Sequence, residues 1–246
     1  MLSQTHKEHY REKGWTVVEG IFERAHAQRI AELALSFGEE SAHLGYDVDA
    51  SDDGRRAPRK IDKPFEKDES FRAFVLNERL RDVIRELLGG EPLLIADQIF
   101  LKPPHFGSAK PYHQDNAYFR CSPPDEVLTA WIALDDADEA NGCLRYIDGS
   151  HRGAILPHEP VSGEGHNLAP PDELIDFSKE SLAPVRCGGV VFHHSQTLHT
   201  SHRNNSERWR RGYATHWVTS RVTAQSTILD SAHFKSELYP TVSPRL

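Results

Sequence analysis

The sequence has few cysteines and no long apolar run, and each scarcity excludes a class of protein. Its 246 residues include only three cysteines, Cys121, Cys143 and Cys187. An odd, sparse set argues against a disulfide framework and favours a reducing compartment, which we expect to be the cytoplasm. No segment approaches the roughly 20 apolar residues that a membrane-spanning helix needs. The first ten residues, MLSQTHKEHY, lack the apolar centre of a signal peptide.

Positive charge is also scarce. Lysine and arginine number 29 against 37 aspartates and glutamates, and the formal net charge is −8. We therefore expect neither nucleic acid nor a membrane as a partner. A content of 38% hydrophobic and 27% charged residues is typical of a folded globular chain. Because the chain contains no internal repeat or low-complexity linker, we predict a single domain over residues 1–246.

Histidine, by contrast, is abundant. The sequence contains 15 histidines, and they are concentrated between His105 and His202. Imidazole is both a common metal ligand and the side chain that exchanges protons near neutral pH. The clustering is therefore a first indication of metal or proton chemistry in this half of the chain.

The first third of the chain predicts a helical layer over about residues 1–90. Residues 3–13 have helical spacing and stop at Gly14, a residue type that commonly follows a helix end. Further expected elements are a strand over 15–22, an amphipathic helix over 25–37, a loop over 40–60 and a helix over 68–88 that is interrupted near Asn77.

The character of the sequence changes after residue 91. Short apolar runs are separated by proline, glycine, asparagine and aspartate: LLIADQIFL, VLTAWIAL, CLRYI, GGVVFHH and GYATHWV. This pattern predicts a mainly β, antiparallel sandwich or barrel core over about residues 91–222, with the helical layer packed on it. The polar stretch 153–182 is too long for an ordinary connection and predicts a lid or binding loop.

His113 and Asp115 form the sharpest local motif. In a strand, residues i and i+2 point to the same face, so this pair would present one imidazole and one carboxylate to one point. A third ligand from another strand would complete a two-histidine, one-carboxylate triad, which holds Fe(II) and leaves three coordination positions open. Such a pair also occurs by chance in loops, with a solvated aspartate, so it requires further support.

A second cluster follows in VVFHHSQTLHTSHRNNSERWRRG. It offers four candidates for the third ligand, His193, His194, His199 and His202, and three arginines, Arg208, Arg210 and Arg211. A guanidinium binds a carboxylate through two parallel hydrogen bonds, as an enzyme that binds a dicarboxylate at a metal would require. A solvated basic hairpin with surface histidines would give the same pattern.

The motifs in their order resemble those of the phytanoyl-CoA dioxygenase family of Fe(II)/2-oxoglutarate oxygenases. The similarity runs from about Lys60 to about Trp217. Its anchors are KPP at 102–104, HQD at 113–115, AW at 130–131, NGCL at 141–144, GSH at 149–151 and HTSHRN…RWRRG from 199. The resemblance implies a double-stranded β-helix, or jelly-roll, core, in agreement with the pattern of short strands.

The resemblance also implies residue roles. His113, Asp115 and His199 fall on the iron ligands, since His199 leads the H-x-S element, and Arg210 falls on the arginine that binds 2-oxoglutarate. Further implied co-substrate contacts are Ser201, Trp131, Gln98 and Lys60. The implied cofactors are Fe(II), 2-oxoglutarate as co-substrate, and O2.

The implied activity is hydroxylation of a small-molecule substrate with release of succinate and CO2. Halogenating relatives of this wider group typically have glycine or alanine at the position of Asp115, so its presence favours hydroxylation or another oxidation. Two alternatives stay open: a metal-binding sensor without catalytic activity, and a zinc hydrolase that uses the same ligands. The sequence does not choose among an acyl-CoA, an amino-acid derivative and a natural-product intermediate as substrate, nor does it fix the oligomeric state.

Overall fold

The computed structural model describes residues 2–42, 48–161 and 167–230. The α-helices are α1 (Gln4–Lys13), α2 (Arg24–Ala42), α3 (Pro64–Lys67), α4 (Glu69–Val75), α5 (Glu78–Leu88) and α6 (Asp115–Phe119). The strands are β1 (Trp15–Val18), β2 (Val48–Ala50), β3 (Arg56–Pro58), β4 (Lys60–Asp62), β5 (Leu93–Lys102), β6 (Lys110–His113), β7 (Cys121–Ser122), β8 (Val127–Ala133), β9 (Leu144–Ile147), β10 (Glu159–Pro160), β11 (Leu168–Ala169), β12 (Glu180–Ala183), β13 (Val190–His194), β14 (His199–Ser201), β15 (Arg210–Val218) and β16 (Thr223–Ala224).

The helix ends follow from local sequence. Helix α1 ends at Gly14, which adopts the left-handed conformation with φ 85°. The predicted interruption near Asn77 is confirmed, because the side-chain oxygen of Asn77 accepts hydrogen bonds from the backbone N–H groups of Arg79 and Leu80 and begins α5. No helix in the three described ranges is long and apolar enough to cross a bilayer.

The loop predicted over residues 40–60 is wrong where the structure describes it. Strands β2 and β3 pair as an antiparallel hairpin, and α2 continues to Ala42; residues 43–47 lie outside the described residues. Pro58 approaches α2 so closely that a Cβ on Gly38 would lie 2.6 Å from the Cβ of Pro58. This packing against a helical glycine stabilises the hairpin although its sequence is polar.

Two antiparallel sheets form the jelly-roll core, which confirms the predicted fold class. The large sheet has the strand order β1-β13-β8-β15-β5-β4, and the small sheet has the order β12-β9-β14-β6. Strands β1 and β4 come from the first 90 residues, so the helical segment also supplies both edges of the large sheet. The division into a helical layer and a core at about residue 90 stays a prediction.

The large sheet separates a helix-packed core from a second, inner face. Leu128, Ala130 and Ile132 of β8 pack into the core that the helices cover. On β15 the fully buried Tyr213 faces Phe71 and Phe74 of α4, with ring centroids 6.1 and 6.5 Å apart. Since side chains alternate along a strand, Thr129 and Trp131 point the other way, toward the small sheet.

The polar stretch 153–182 contains the small hairpin of β10 and β11 and ends in β12, an edge strand of the small sheet. Residues 162–166 lie outside the described residues. Asn167 of this stretch lines the cavity between the two sheets. Its function as a lid or binding loop stays a prediction.

Candidate metal centre and co-substrate pocket

Two histidines from neighbouring strands face each other on the small sheet. His113 ends β6, and its register partner is His199 at the start of β14. The Nδ1 atom of His113 lies 2.9 Å from the carbonyl oxygen of Pro111, and that of His199 lies 2.9 Å from the carbonyl oxygen of Thr197. A carbonyl only accepts, so each Nδ1 carries the proton and each Nε2 presents a lone pair, as in metal-binding histidines.

Asp115 supplies the carboxylate from a helix, not from a strand. Strand β6 ends at His113 and Asp115 is the first residue of α6, so the prediction from strand alternation is wrong in its geometry. The chain turns here because the side-chain nitrogen of Gln114 donates to the carbonyl of Gln196 and the Asn116 N–H donates to the carbonyl of Ser195. The carboxylate still reaches the two imidazoles.

The three side chains fit a divalent metal. One ligand atom of each lies within 4.8 Å of the other two, and all three residues are buried. Asp115 Oδ1 is 3.6 Å from His113 Nε2 and 3.7 Å from His199 Nε2. Two imidazole nitrogens and one carboxylate oxygen are a donor set that suits both Fe(II) and Zn(II).

The surroundings of His113 and Asp115 shift their pKa values in directions that favour cation binding. Burial, reinforced by the neighbouring His199, holds the pKa of His113 well below its usual 6.5, so the imidazole is neutral. Burial acts to raise the pKa of Asp115, but the imidazoles of His199 and His216 and the hydrogen bond from His193 together hold it well below 3.8. For His113 and Asp115, a neutral imidazole and an ionised carboxylate are the protonation states that a metal requires.

Of the four candidate histidines in the second cluster, His199 alone joins the triad. His193 Nε2 donates to Asp115 Oδ2 at 3.0 Å and therefore lies behind the carboxylate. His194 points to the other side of its strand and contacts Asp125 Oδ1 at 3.1 Å. His202 is exposed. The contact between His193 and Asp115 was not predicted from the sequence, although the i, i+2 alternation of β13 with Val191 indicates an inward side chain.

Every residue predicted for the site lines one cavity of about 840 Å³ between the two sheets. The triad lies in its wall together with Arg210, Ser201, Trp131, Gln98 and Lys60. Ser201 is two residues beyond His199 on β14, and Gln98 on β5 is the register partner of Ala214 on β15. Lys60 extends from the edge strand β4 and pairs with Asp62 at 2.7 Å. The individual roles of these residues stay predictions.

Arg210 combines deep burial with incomplete hydrogen bonding. Only 2% of it is exposed, its Nε donates to the carbonyl oxygen of Gly142 at 2.9 Å, and its guanidinium lies 4.7 Å from the ring centre of Trp131. Its Nη2 is buried with no hydrogen-bond partner among the described residues. Burial lowers the pKa of Arg210 to about 10, so it remains charged at neutral pH. An anionic ligand would satisfy this group.

The two neighbouring arginines are already paired. Arg208 donates to Asp138 at 2.6 Å, and Arg211 donates to Asp135 at 2.7 Å. Gly212, the residue after Arg211, has a steric role, because a Cβ there would lie 1.9 Å from the indole of Trp131. Glycine thus allows the indole to lie across β15 beneath the guanidinium of Arg210.

The chain is similar to several known oxygenases. It is 28% identical over 166 residues to the phytanoyl-CoA dioxygenase domain-containing protein 1 homolog of Caenorhabditis elegans and 32% identical over 163 residues to the Mus musculus protein, each match covering 65% of this chain. These matches span only 58% and 56% of the relatives' lengths. The probable alpha-ketoglutarate-dependent hypophosphite dioxygenase of Stutzerimonas stutzeri is 30% identical over 228 residues, 87% of this chain and 79% of that protein.

Solved structures show the same fold. The non-heme monooxygenase ThoJ superposes with a TM-score of 0.74 at 22% identity, over 89% of this chain and 79% of that one. EvdO2 from Micromonospora carbonacea, solved with 2-oxoglutarate, gives 0.70 at 22% identity over 92% of this chain and 94% of that one. The phytanoyl-CoA dioxygenase (PhyH) family model matches residues 10–212, a range that includes the triad and Arg210. The chain therefore belongs to the phytanoyl-CoA dioxygenase (PhyH) family.

Proposed function

We propose that this chain is an Fe(II)- and 2-oxoglutarate-dependent oxygenase that hydroxylates a small organic substrate and releases succinate and CO2. The observation that carries the proposal is the presence, in one cavity, of three side chains that could hold a metal and a charged guanidinium with a nitrogen that has no partner among the described residues. The first group suits iron and the second suits a dicarboxylate, and the combination is what this chemistry needs.

His113, Asp115 and His199 would hold the iron. When bound, iron would supply the oxidising chemistry, with 2-oxoglutarate and O2 as its co-reactants. The three side chains line the wall of the cavity, so a ligand in the cavity would reach any coordination positions that they leave open. The protein contributes orientation, since the Nδ1 hydrogen bonds of both histidines fix the direction of their Nε2 lone pairs.

Arg210 would bind the carboxylate of 2-oxoglutarate that lies away from the metal. The indole of Trp131 beneath the guanidinium and the bond to the Gly142 carbonyl fix the plane of the guanidinium before the ligand arrives. The hydroxyl of Ser201 would add a contact from β14. Such preorganisation reduces the ordering cost of binding.

Gln98 and Lys60 would contact the co-substrate from strands of the same sheet as Arg210. Gln98 lies on β5, one strand from β15. Lys60 lies on β4, one strand further out, with its ammonium group held by Asp62. Because the ammonium group of Lys60 already pairs with Asp62, we expect a smaller rise in the KM for 2-oxoglutarate in Lys60→Ala than in Gln98→Ala.

The zinc hydrolase alternative explains less of the structure. A zinc site with the same three ligands would bind and activate water, but it would give no purpose to a buried, incompletely bonded guanidinium in the same cavity. A sensor would need neither the cavity nor this arginine. Both alternatives remain outcomes of the experiment.

The test is succinate formation from 2-oxoglutarate by the metal-free protein after addition of Fe(II) under air, with and without a substrate panel that includes hypophosphite and an acyl-CoA. We expect succinate with Fe(II), none with Zn(II), and a large loss in Arg210→Lys. Arg208→Lys is the matched control, because Arg208 lies nearby in the chain but pairs with Asp138. Equal rates in the two variants, or activity with Zn(II) alone, would contradict the proposal.

A further inference from the structure

The two oxygens of Asp115 lie in different surroundings. Oδ1 faces the Nε2 atoms of both ligand histidines at 3.6 and 3.7 Å. Oδ2 faces away from them and accepts hydrogen bonds from Thr129 Oγ1 at 2.6 Å and from His193 Nε2 at 3.0 Å. One oxygen is therefore free for a metal, and the other is occupied by protein donors.

The two hydrogen-bond partners of His193, Asp115 and Tyr146, determine its tautomer. Its Nε2 must carry a proton because it contacts an ionised carboxylate, so its Nδ1 accepts, and the hydroxyl of Tyr146 lies 2.8 Å from that atom. Burial raises the pKa of Tyr146 well above 10, which keeps its hydroxyl protonated and able to donate. The direction of donation therefore runs from Tyr146 to His193 to Asp115.

Thr129, the second donor to Asp115 Oδ2, is part of a similar chain of hydrogen bonds. Its single hydroxyl proton goes to Asp115, so its oxygen accepts from His216 Nδ1 at 2.8 Å. His193 and Thr129 are register partners on β13 and β8, and Thr129 and His216 are register partners on β8 and β15. Three adjacent strands thus place their donors in one row behind the carboxylate.

Tyr146 connects this row to the opposite sheet. It lies on β9 of the small sheet, directly beside His199 on β14, whereas His193 belongs to the large sheet. Tyr146 has no exposed surface, and its ring stacks on Trp15 with centroids 4.9 Å apart and planes at 12°. The hydrogen bond from Tyr146 to His193 therefore spans the two sheets at the depth of the metal centre.

We propose that Tyr146 and His193 form a positioning pair that presents Asp115 Oδ1 to the metal and keeps Oδ2 from becoming a second ligand atom. Neither residue belongs to the triad, although both rings lie beside that of His199, with centroids 4.4 Å from it for His193 and 5.8 Å for Tyr146. By occupying Oδ2, the pair leaves the coordination positions on the cavity side available to co-substrate and O2. The inference rests on the metal centre of the proposed function, but it does not depend on which reaction that centre performs.

The test measures binding of Co(II), a spectroscopic substitute for Fe(II), to three variants. His193→Met removes the donor and keeps most of the volume, His193→Gln restores an N–H near the position of Nε2, and Tyr146→Phe removes only the hydroxyl and keeps the stack on Trp15. Loss of a group that orients a ligand typically weakens metal binding about 10- to 100-fold. We expect that loss in His193→Met, substantial recovery in His193→Gln, and an intermediate loss in Tyr146→Phe.

The visible spectrum of bound Co(II) separates positioning from general stability. A carboxylate freed to bind through both oxygens raises the coordination number, so we expect a weaker, shifted band in His193→Met and in Tyr146→Phe. The matched control is His194→Gln, the adjacent residue on the other face of β13, which should leave affinity and band unchanged. Melting temperatures of the metal-free variants report any effect on folding alone.

Unchanged Co(II) affinity and spectrum in both His193→Met and Tyr146→Phe would overturn the inference. If His193→Met fails to fold, Tyr146→Phe decides, because it retains the ring and its packing. Failure of the proposed function has a different signature: the wild-type protein would bind Co(II) and the variants would bind it less well, while the Fe(II)-loaded protein would form no succinate.

Discussion

The two faces of the large sheet are equally buried but differ in chemistry. On the face toward the helices, β8 and β15 present Leu128, Ile132 and Tyr213 to a core of aliphatic and aromatic side chains. On the inner face, the intervening residues of the same strands are Thr129, Trp131, Arg210 and His216. The two faces differ because one supports the fold and the other the site.

The comparison shows how a buried polar group marks a function. Burying a polar atom without a partner costs free energy, so a core that only supports a fold avoids it. The cavity on the inner side instead collects imidazoles, a carboxylate and a guanidinium from both sheets and from α6, and the Nη2 of Arg210 has no hydrogen-bond partner among the described residues. If this interpretation is right, substitutions on the two faces should affect different measurements.

The largest effect is expected from His199→Ala on the inner side. Loss of one of three ligands should abolish metal-dependent succinate formation, because the remaining imidazole and carboxylate cannot hold the metal in place. The melting temperature of the metal-free protein should change little, since the alanine removes no packing from the helix-covered core. Retained activity with added Fe(II) would exclude His199 as a ligand.

Phe74→Ala on the helix-covered face should have the opposite effects to His199→Ala: it should lower stability and leave substrate kinetics unchanged. Phe74 is fully buried, with its ring 4.0 Å from that of Phe22. Its truncation should lower the free energy of unfolding by about 3–5 kcal/mol, measured by urea denaturation. The KM for 2-oxoglutarate of the folded fraction should stay at its wild-type value, and a selective rise in that KM would break the distinction between the faces.

Arg210→Lys should raise the KM for 2-oxoglutarate about 10- to 100-fold, which corresponds to roughly 1.5–3 kcal/mol for a hydrogen-bonded charged group. The ammonium group keeps the charge but loses the planar, two-pronged contact and the stacking on Trp131. Steady-state kinetics at saturating Fe(II) provides the measurement. A KM within twofold of the wild-type value would move the co-substrate contact to another residue.

Asn77→Ala, a substitution in the helical layer, should have the smallest effect of the four. Removal of the side-chain oxygen that caps α5 should cost about 1 kcal/mol of stability. We expect a small fall in the denaturation midpoint and no change in kinetics or metal affinity. A change in kinetics on loss of this remote helix cap would contradict the account, because it would show that the helical layer influences the site directly and does not only support the large sheet.

Elements with a strong local pattern were predictable from the sequence. The five apolar runs became β5, β8, β9, β13 and β15, and glycine and asparagine marked the helix ends. The hairpin of β2 and β3 was not predictable, because its polar segments gain their stability from contact with α2. That contact depends on the absence of a side chain at Gly38, whose partner Pro58 lies 20 residues away.

The candidate site also has features that could be predicted from the sequence and features that could not. Spaced motifs indicated the residues of the triad and Arg210, and the structure gathers them in one cavity. The sequence could not show that Asp115 starts a helix, or that His193 and Tyr146 lie behind its carboxylate. Those relations depend on which distant strands pair, and Tyr146 and His193 are 47 residues apart and on different sheets.

The most direct test of the central claim is anaerobic addition of Fe(II) and then 2-oxoglutarate to the metal-free protein, with observation of the weak visible charge-transfer band of the chelated complex. The account predicts a band in the wild-type protein, its absence in His199→Ala, and in Arg210→Ala its appearance only at much higher 2-oxoglutarate concentration. Absence of a band in a wild-type protein that has bound the metal would contradict the assignment of the cavity as a 2-oxoglutarate site.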